Sequence, residues 1–165
     1  MSVLIVGSTA LDSIKTPKAE NPRLLGGSAS YAAVAASFFG PVQLVGAVGD
    51  DFPKRYVQLY ERLGIDLEGL QRLPGKTFHW SGEYELNMNN RRTLATELGV
   101  FETFNPTLPA AYQSTPFVLL ANIAPALQAC ASSATYYYEA SDGPAITTGM
   151  NALFASSEEA ARLLR

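Results

Sequence analysis

With 165 residues, 47% of them hydrophobic, the chain can bury a sizeable core, and one compact domain is expected rather than a disordered segment. Its formal charge of -3 comes from 12 basic and 15 acidic side chains, with no Lys/Arg block able to neutralise a run of phosphates, which argues against nucleic acid as a partner. A single cysteine, Cys130, and a single histidine, His79, exclude an internal disulfide and a four-ligand zinc site, and the cysteine usage fits a reducing, cytoplasmic setting.

The chain opens Met1-Ser2 and runs into Val3-Leu4-Ile5-Val6-Gly7 without a charged leader or a small-residue cleavage site. A short continuous apolar run of this kind suits a strand covered on both faces, as in a parallel sheet. Residues 28–39 are mostly alanine, with Tyr31, Val34, Phe38 and Phe39 as the larger apolar members, and Gly40-Pro41 follows as a stop signal, so a tightly packed helix is expected. A second strand is predicted over 42–48, and Gly49-Asp50-Asp51 then hands over to a helix capped by Asp51, with Pro53 in its first turn. Phe52, Tyr56, Leu59, Tyr60 and Leu63 mark the apolar stripe of that helix and Gly64 its end. Strand, helix, strand, helix is the rhythm of an α/β fold.

After Pro74 the period changes to two. Phe78, Trp80, Gly82, Tyr84 and Leu86 alternate with His79, Ser81, Glu83 and Glu85, residues 87–92 form a polar turn, and 93–101 return as a second extended segment. The result is an antiparallel hairpin apart from the main sheet, whose aromatic face must be covered by substrate, by the parent domain or by a second subunit. Beyond it, a short helix is expected at 109–113, a buried strand at 117–121 and the start of another helix at 125–131. The apolar stretch 116–131 is broken by Asn122, Pro125 and Gln128 and falls short of the roughly 20 residues a membrane span needs, so a soluble protein without membrane contact is expected. Residues 132–150 have no clear pattern, and Ser156 with Glu159 forms a capping box ahead of a final helix.

Four features could bind a ligand. Gly26-Gly27-Ser28 precedes a helix start, where unpaired N–H groups and the helix dipole favour polar or anionic groups. Asp12 follows the first strand at the edge where α/β sheets gather ligands, and its carboxylate can accept two hydroxyl protons. Asn90, among the amides and cations of the hairpin turn, suits a hydroxyl-rich or phosphorylated ligand, and Asn122 stands directly after a strand. Gly75-Lys76-Thr77 is not a P-loop, because Leu70 occupies the position of its first glycine, and no Gly-x-Gly-x-x-Gly follows the first strand. His79 and Cys130 read as structural or solvated residues.

Taken together, Gly26-Gly27-Ser28-Ala29-Ser30-Tyr31, Leu44-Val45-Gly46-Ala47-Val48-Gly49-Asp50-Asp51-Phe52 and Leu63-Gly64-Ile65-Asp66-Leu67-Glu68-Gly69 resemble the first signature region of the PfkB (ribokinase-like) carbohydrate kinases, over roughly residues 1–128. The resemblance implies a three-layer α/β/α fold with a small β-sheet lid built from segments near 11–25 and 76–104. It implies phosphorylation of a sugar or nucleoside hydroxyl by ATP with Mg, acceptor binding by Asp12, Gly26, Gly27, Tyr31, Asn90 and Asn122, and a possible homodimer through the lid. Many members have asparagine where this chain has Tyr31. They also carry a Gly-Ala-Gly-Asp segment whose aspartate is the general base; it is absent here, and Gly46-Ala47-Val48-Gly49-Asp50 in the early turn is no substitute. The resemblance therefore implies an incomplete or inactive kinase, with no catalytic residue assigned, or a non-catalytic sugar-binding or dimerising module derived from one.

Overall fold

The computed structural model describes residues 2–121. Asn122, Cys130, the helix expected at 125–131, the segment 132–150 and the capping box at Ser156 lie outside the described residues.

The chain builds two sheets. In the first, β1 (Val3–Gly7) pairs in parallel with β4 (Val42–Val48) on one side and with β9 (Phe117–Ala121) on the other. Short strands β5 (Ile65–Asp66) and β6 (Leu70–Arg72) extend it beyond β4, also in parallel. Parallel strands must be covered on both faces, and Leu4, Ile5, Val6, Leu44, Val45, Ala47 and Val48 are accordingly all buried. Helices α1 (Ser28–Ser37) and α2 (Lys54–Arg62) share one core with Ile5, Val42 and Leu44. Helix α1 meets it through Ala29 and Ala33, whose small side chains let helix and sheet approach closely. From α2, the phenol of Tyr60 enters the core and donates to Ser30 Oγ at 2.8 Å. Burial pushes the Tyr60 pKa up to about 12, against a smaller opposing effect of the Ser30 bond.

The strands at 3–7 and 42–48, the second helix and the stop at Gly64 (φ +69°) agree with the sequence reading, and α1 starts where expected but ends at Ser37, leaving Phe38 and Phe39 exposed beyond it. Three further details differ. Pro53, not Asp51, is the N-cap residue of α2, and no side chain caps it. The Asp51 carboxylate instead accepts from Thr77 N and Oγ1, both at 2.8 Å, and from Arg23 Nη2 at 3.0 Å, partners that fix the entry to the second sheet. Strand β9 forms where expected, but Phe117, Val118 and Leu119 are exposed rather than buried; among the described residues β9 is the outermost strand beside β1. Residues 109–113 hold a single 3-10 turn, Ala110–Tyr112, and the buried Tyr112 hydroxyl accepts from Gly69 N at 3.3 Å.

The second sheet runs in the order β3 (Glu20–Gly26), β2 (Ala10–Lys15), β7 (Phe78–Tyr84), β8 (Arg91–Glu97). The predicted hairpin is β7 with β8, an antiparallel pair whose register slips between Ser81 and Gly82. Its return strand starts two residues earlier than expected and stops at Glu97, short of the 3-10 turn Gly99–Phe101. The β2–β3 pair is also antiparallel, and β2 joins β7 in parallel to hold the two hairpins together. Pro22 is tolerated because β3 is an edge strand.

Part of the aromatic face is covered by the chain itself. Phe101 stacks on Phe78 (centroids 5.7 Å apart) and Phe104 on Phe101 (5.3 Å). The Trp80 indole lies against Gly82, where a Cβ would overlap it, and the Arg91 guanidinium sits 5.3 Å from its ring.

Replacing Tyr60 by Phe should lower stability by about 1 kcal/mol, the size of one neutral hydrogen bond, because the Ser30 hydroxyl stays buried without that partner. Urea unfolding should show a lower midpoint at unchanged slope.

Candidate functional site

The register of the second sheet determines what surrounds Asp12. Asp12 on β2 stands beside Trp80 on β7 and opposite Leu24 on β3, so its side chain shares the face of Phe78 and Trp80. The polar set His79, Ser81 and Glu83 takes the other face, where His79 Nε2 and Ser13 Oγ are 2.8 Å apart and Glu83 lies between Lys15 (2.9 Å) and Arg92 (2.7 Å).

Gly26 pairs with Ala10, diagonal to Asp12, and a Cβ at Gly26 would coincide with the Asp12 carboxylate. The glycine thus lets the carboxylate lie where it does: any side chain at 26 would make Asp12 swing to another position. Asp12 is half-buried and makes no hydrogen bond or ion pair with another described residue. Burial raises its pKa, only partly opposed by His79.

Gly27 adopts φ +91° and ψ 140°, and a Cβ there would run into the Ser8 carbonyl. This approach lets Ser8 terminate α1: Ser28 N donates to Ser8 Oγ at 3.1 Å and Ala29 N to Ser8 O at 3.0 Å. The first two amides of the helix are thus bound to Ser8 rather than open to a ligand, which corrects the expectation of unpaired N–H groups there.

Tyr31, one turn into α1, is 61% exposed and donates its phenolic proton to Leu25 O at 3.2 Å. Burial first, and then the nearby Asp12 carboxylate, raise its pKa, and the bond to Leu25 holds Tyr31 beside Gly26. Asp12, Gly26, Gly27 and Tyr31 consequently form one cluster at the junction of the two sheets.

Asn90 does not join it. It lies in the exposed β7–β8 turn, donating through N to Asn87 Oδ1 at 3.1 Å and through Nδ2 to Glu85 Oε2 at 3.1 Å. Those bonds are local turn chemistry, which the sequence reading took for ligand capacity. The family resemblance placed residues near 11–25 in a β-sheet lid, where β2 and β3 form, but the residue pattern gave no strand register there, and so missed that Asp12 shares a face with Trp80. The Ala10, Asp12, Ile14 alternation was the available signal, weakened by an aspartate in mid-strand and by Pro22.

The superficially catalytic Asp50 is structural. Its Oδ2 accepts from Gly75 N at 3.0 Å and its N donates to Gly75 O at 2.9 Å, clasping the two turns together. Two open concavities, one lined by Leu73, Pro74, Lys76 and Thr103, the other by Lys15, Glu83 and Arg92, include none of the clustered residues.

No family model matches the chain. Among curated proteins, the cytidine kinase of Thermococcus kodakarensis is 34% identical over 80 residues, which are 48% of this chain and 28% of that protein. Among solved structures, the nucleoside kinase of Methanocaldococcus jannaschii, described as an archaeal member of the ribokinase family, aligns with TM-score 0.62 and 24% identity over 81% of this chain and 48% of its own. The ribokinase of Cryptococcus neoformans in complex with ADP aligns with TM-score 0.58 and 19% identity over 72% and 41%. The structural neighbours are nucleoside and sugar kinases of the ribokinase type, and the chain spans less than half the length of each of these relatives.

Because its folded pKa is raised, Asp12 lowers stability as pH rises through its unfolded and folded values. Asp12→Asn should therefore melt above the parent chain at pH 7, and the difference should close below about pH 3.9, the ordinary aspartate value. Asp51 has the opposite sign. Burial opposes its charge, but the bonds from Thr77 and Arg23 outweigh that and lower its pKa. Its contribution is present above the unfolded value and lost as pH falls through the folded one, so Asp51→Asn should melt below the parent at pH 7. Thermal melts from pH 3 to 7 check both signs.

Proposed function

We propose that this chain, which has the ribokinase-like fold, provides the acceptor-binding part of a kinase for a nucleoside or sugar hydroxyl and does not by itself transfer the phosphoryl group. The observation that carries the reading is Asp12: a half-buried carboxylate without a described partner, packed against Gly26 on the face it shares with Phe78 and Trp80. Keeping a carboxylate partly desolvated and unpaired is costly, and a ligand that donates two hydroxyl protons to it removes that cost. Vicinal hydroxyls, as on a ribose, have the right spacing. The cytidine kinase and nucleoside kinase relatives favour a nucleoside over a free sugar.

In this reading the second sheet is a lid, with Asp12, Gly26, Gly27 and Tyr31 forming the acceptor site and Asn90 standing away from it. ATP and Mg are the family's co-substrate and ion. Among the described residues no group of three or more His, Cys, Asp or Glu side chains converges to hold a metal, and the turns at 49–51 and 75–77 use their polar groups on each other. The 165 residues contain no Gly-Ala-Gly-Asp segment to supply a general base. No helix of the described residues is long and apolar enough to cross a membrane.

Calorimetric titration with cytidine, inosine, adenosine and ribose, followed by Mg-ATP, tests the reading. Acceptor binding without phosphorylated product is expected. Asp12→Ala should weaken that binding by more than a hundredfold, the loss of two hydrogen bonds to a charged group at about 1.5 kcal/mol or more each. Product formation would remove the non-catalytic part of the proposal, and failure to bind any of the four would remove the acceptor site.

A further inference from the structure

We propose that Arg23 is a positioning residue that latches the second sheet onto the main sheet and so sets where Asp12 stands; the inference deepens the acceptor-site reading and rests on it for its functional consequence. Arg23 lies on β3, one residue before the Leu24 that faces Asp12. The register of β2 with β3 shifts between Asp12 and Ile14, and Arg23, inside that irregularity, has φ +56°, the left-handed region that a non-glycine residue enters only when its surroundings hold it there.

The contacts that hold it come mostly from outside its sheet, from helix α2 and from the turn between β4 and α2. Its guanidinium donates through Nη2 to the Asp51 carbonyl at 2.9 Å and to the Asp51 carboxylate at 3.0 Å. Its own carbonyl accepts from Tyr56 Oη at 2.9 Å and, at 3.5 Å, from Arg55 Nη2, both on α2. Its amide donates to Ser13 Oγ at 3.3 Å, the residue next to Asp12. Asp51 in turn is bound to Thr77, at the entrance to β7. One residue therefore joins the outer strand of the second sheet to α2 and to the turn that starts β7, directly beside the candidate site. A residue that served only the stability of β3 would need none of the contacts to Asp51 and Tyr56.

The test uses three variants of the full chain. Arg23→Gly removes the guanidinium while accepting the left-handed backbone, so that a loss is not a failure to adopt φ +56°. Arg23→Lys keeps the charge. Arg92→Ala removes a cation from β8, the far edge strand of the same sheet among the described residues. Hydrogen exchange followed by mass spectrometry, without ligand, should show faster exchange in Arg23→Gly over residues 10–15 and 20–26, with 42–48 unchanged. Arg23→Lys should restore part of the protection, and Arg92→Ala should leave both segments as in the parent. Titration with cytidine, inosine, adenosine and ribose should show at least tenfold weaker binding in Arg23→Gly for whichever of them the parent binds.

Unchanged exchange in Arg23→Gly over 10–26 overturns the latch whatever the ligand data show. Faster exchange with undiminished affinity also overturns it as a positioning residue. If the parent chain binds none of the four compounds, the acceptor-site reading fails, and the exchange data still decide whether Arg23 ties the sheets together.

Discussion

The layout of the molecule depends on the contact of Gly27 with Ser8. The chain leaves the main sheet at the end of β1, makes the two strands of the second sheet, and must return to the same place to start α1. It can do so only where two backbones approach closer than a Cβ allows, and Gly27 provides that place. Ser8 then acts twice, its carbonyl and its hydroxyl each receiving an amide of α1. Closing this loop brings Asp12, Gly26 and Tyr31, which belong to three different elements, to one junction. The Ser28 hydroxyl extends the same knot to β9, donating to Ala121 O at 2.9 Å.

The two neighbouring glycines have different reasons to be glycine. Gly27 makes room for the main chain, whereas Gly26 makes room for a functional group, since its absent side chain is where the Asp12 carboxylate lies. A carboxylate recessed in this way is partly dehydrated without being neutralised. That is a poor arrangement for stability and a good one for a ligand with hydroxyls to donate, the usual conflict between a folded site and its use.

Most of the main sheet could be read from the sequence, because its signals are local and repeated. A continuous apolar run gave β1, the alternation of Val42, Leu44, Gly46 and Val48 gave β4, closely set alanines gave α1, and the i, i+4, i+7 pattern with a terminal glycine gave α2. The β7–β8 hairpin was equally clear from its alternation. Strands β2 and β3 were not, since their pairing depends on partners far along the chain and their sequences include an aspartate and a proline that usually argue against a strand. For the same reason Asp12 was recognisable as a candidate but its aromatic surroundings were not. Asp51 was misread because a carboxylate just before a helix usually caps it; here Thr77 and Arg23 compete for it and win with charge-assisted bonds. Asn90 bonds within its own turn, to Asn87 and Glu85, which a reading of single residues does not reveal.

The central pair of the second sheet unites distant parts of the chain. Strand β2 lies in parallel beside β7, starting with Ala10 next to Phe78, 68 residues later. Between them the chain must make α1, β4 and α2. Closing so long a loop before other structure exists is entropically unfavourable and slow. During folding the second sheet can therefore complete itself only after the first has drawn the two hairpins together, so the candidate site, lying on that junction, is among the last parts of the protein to exist.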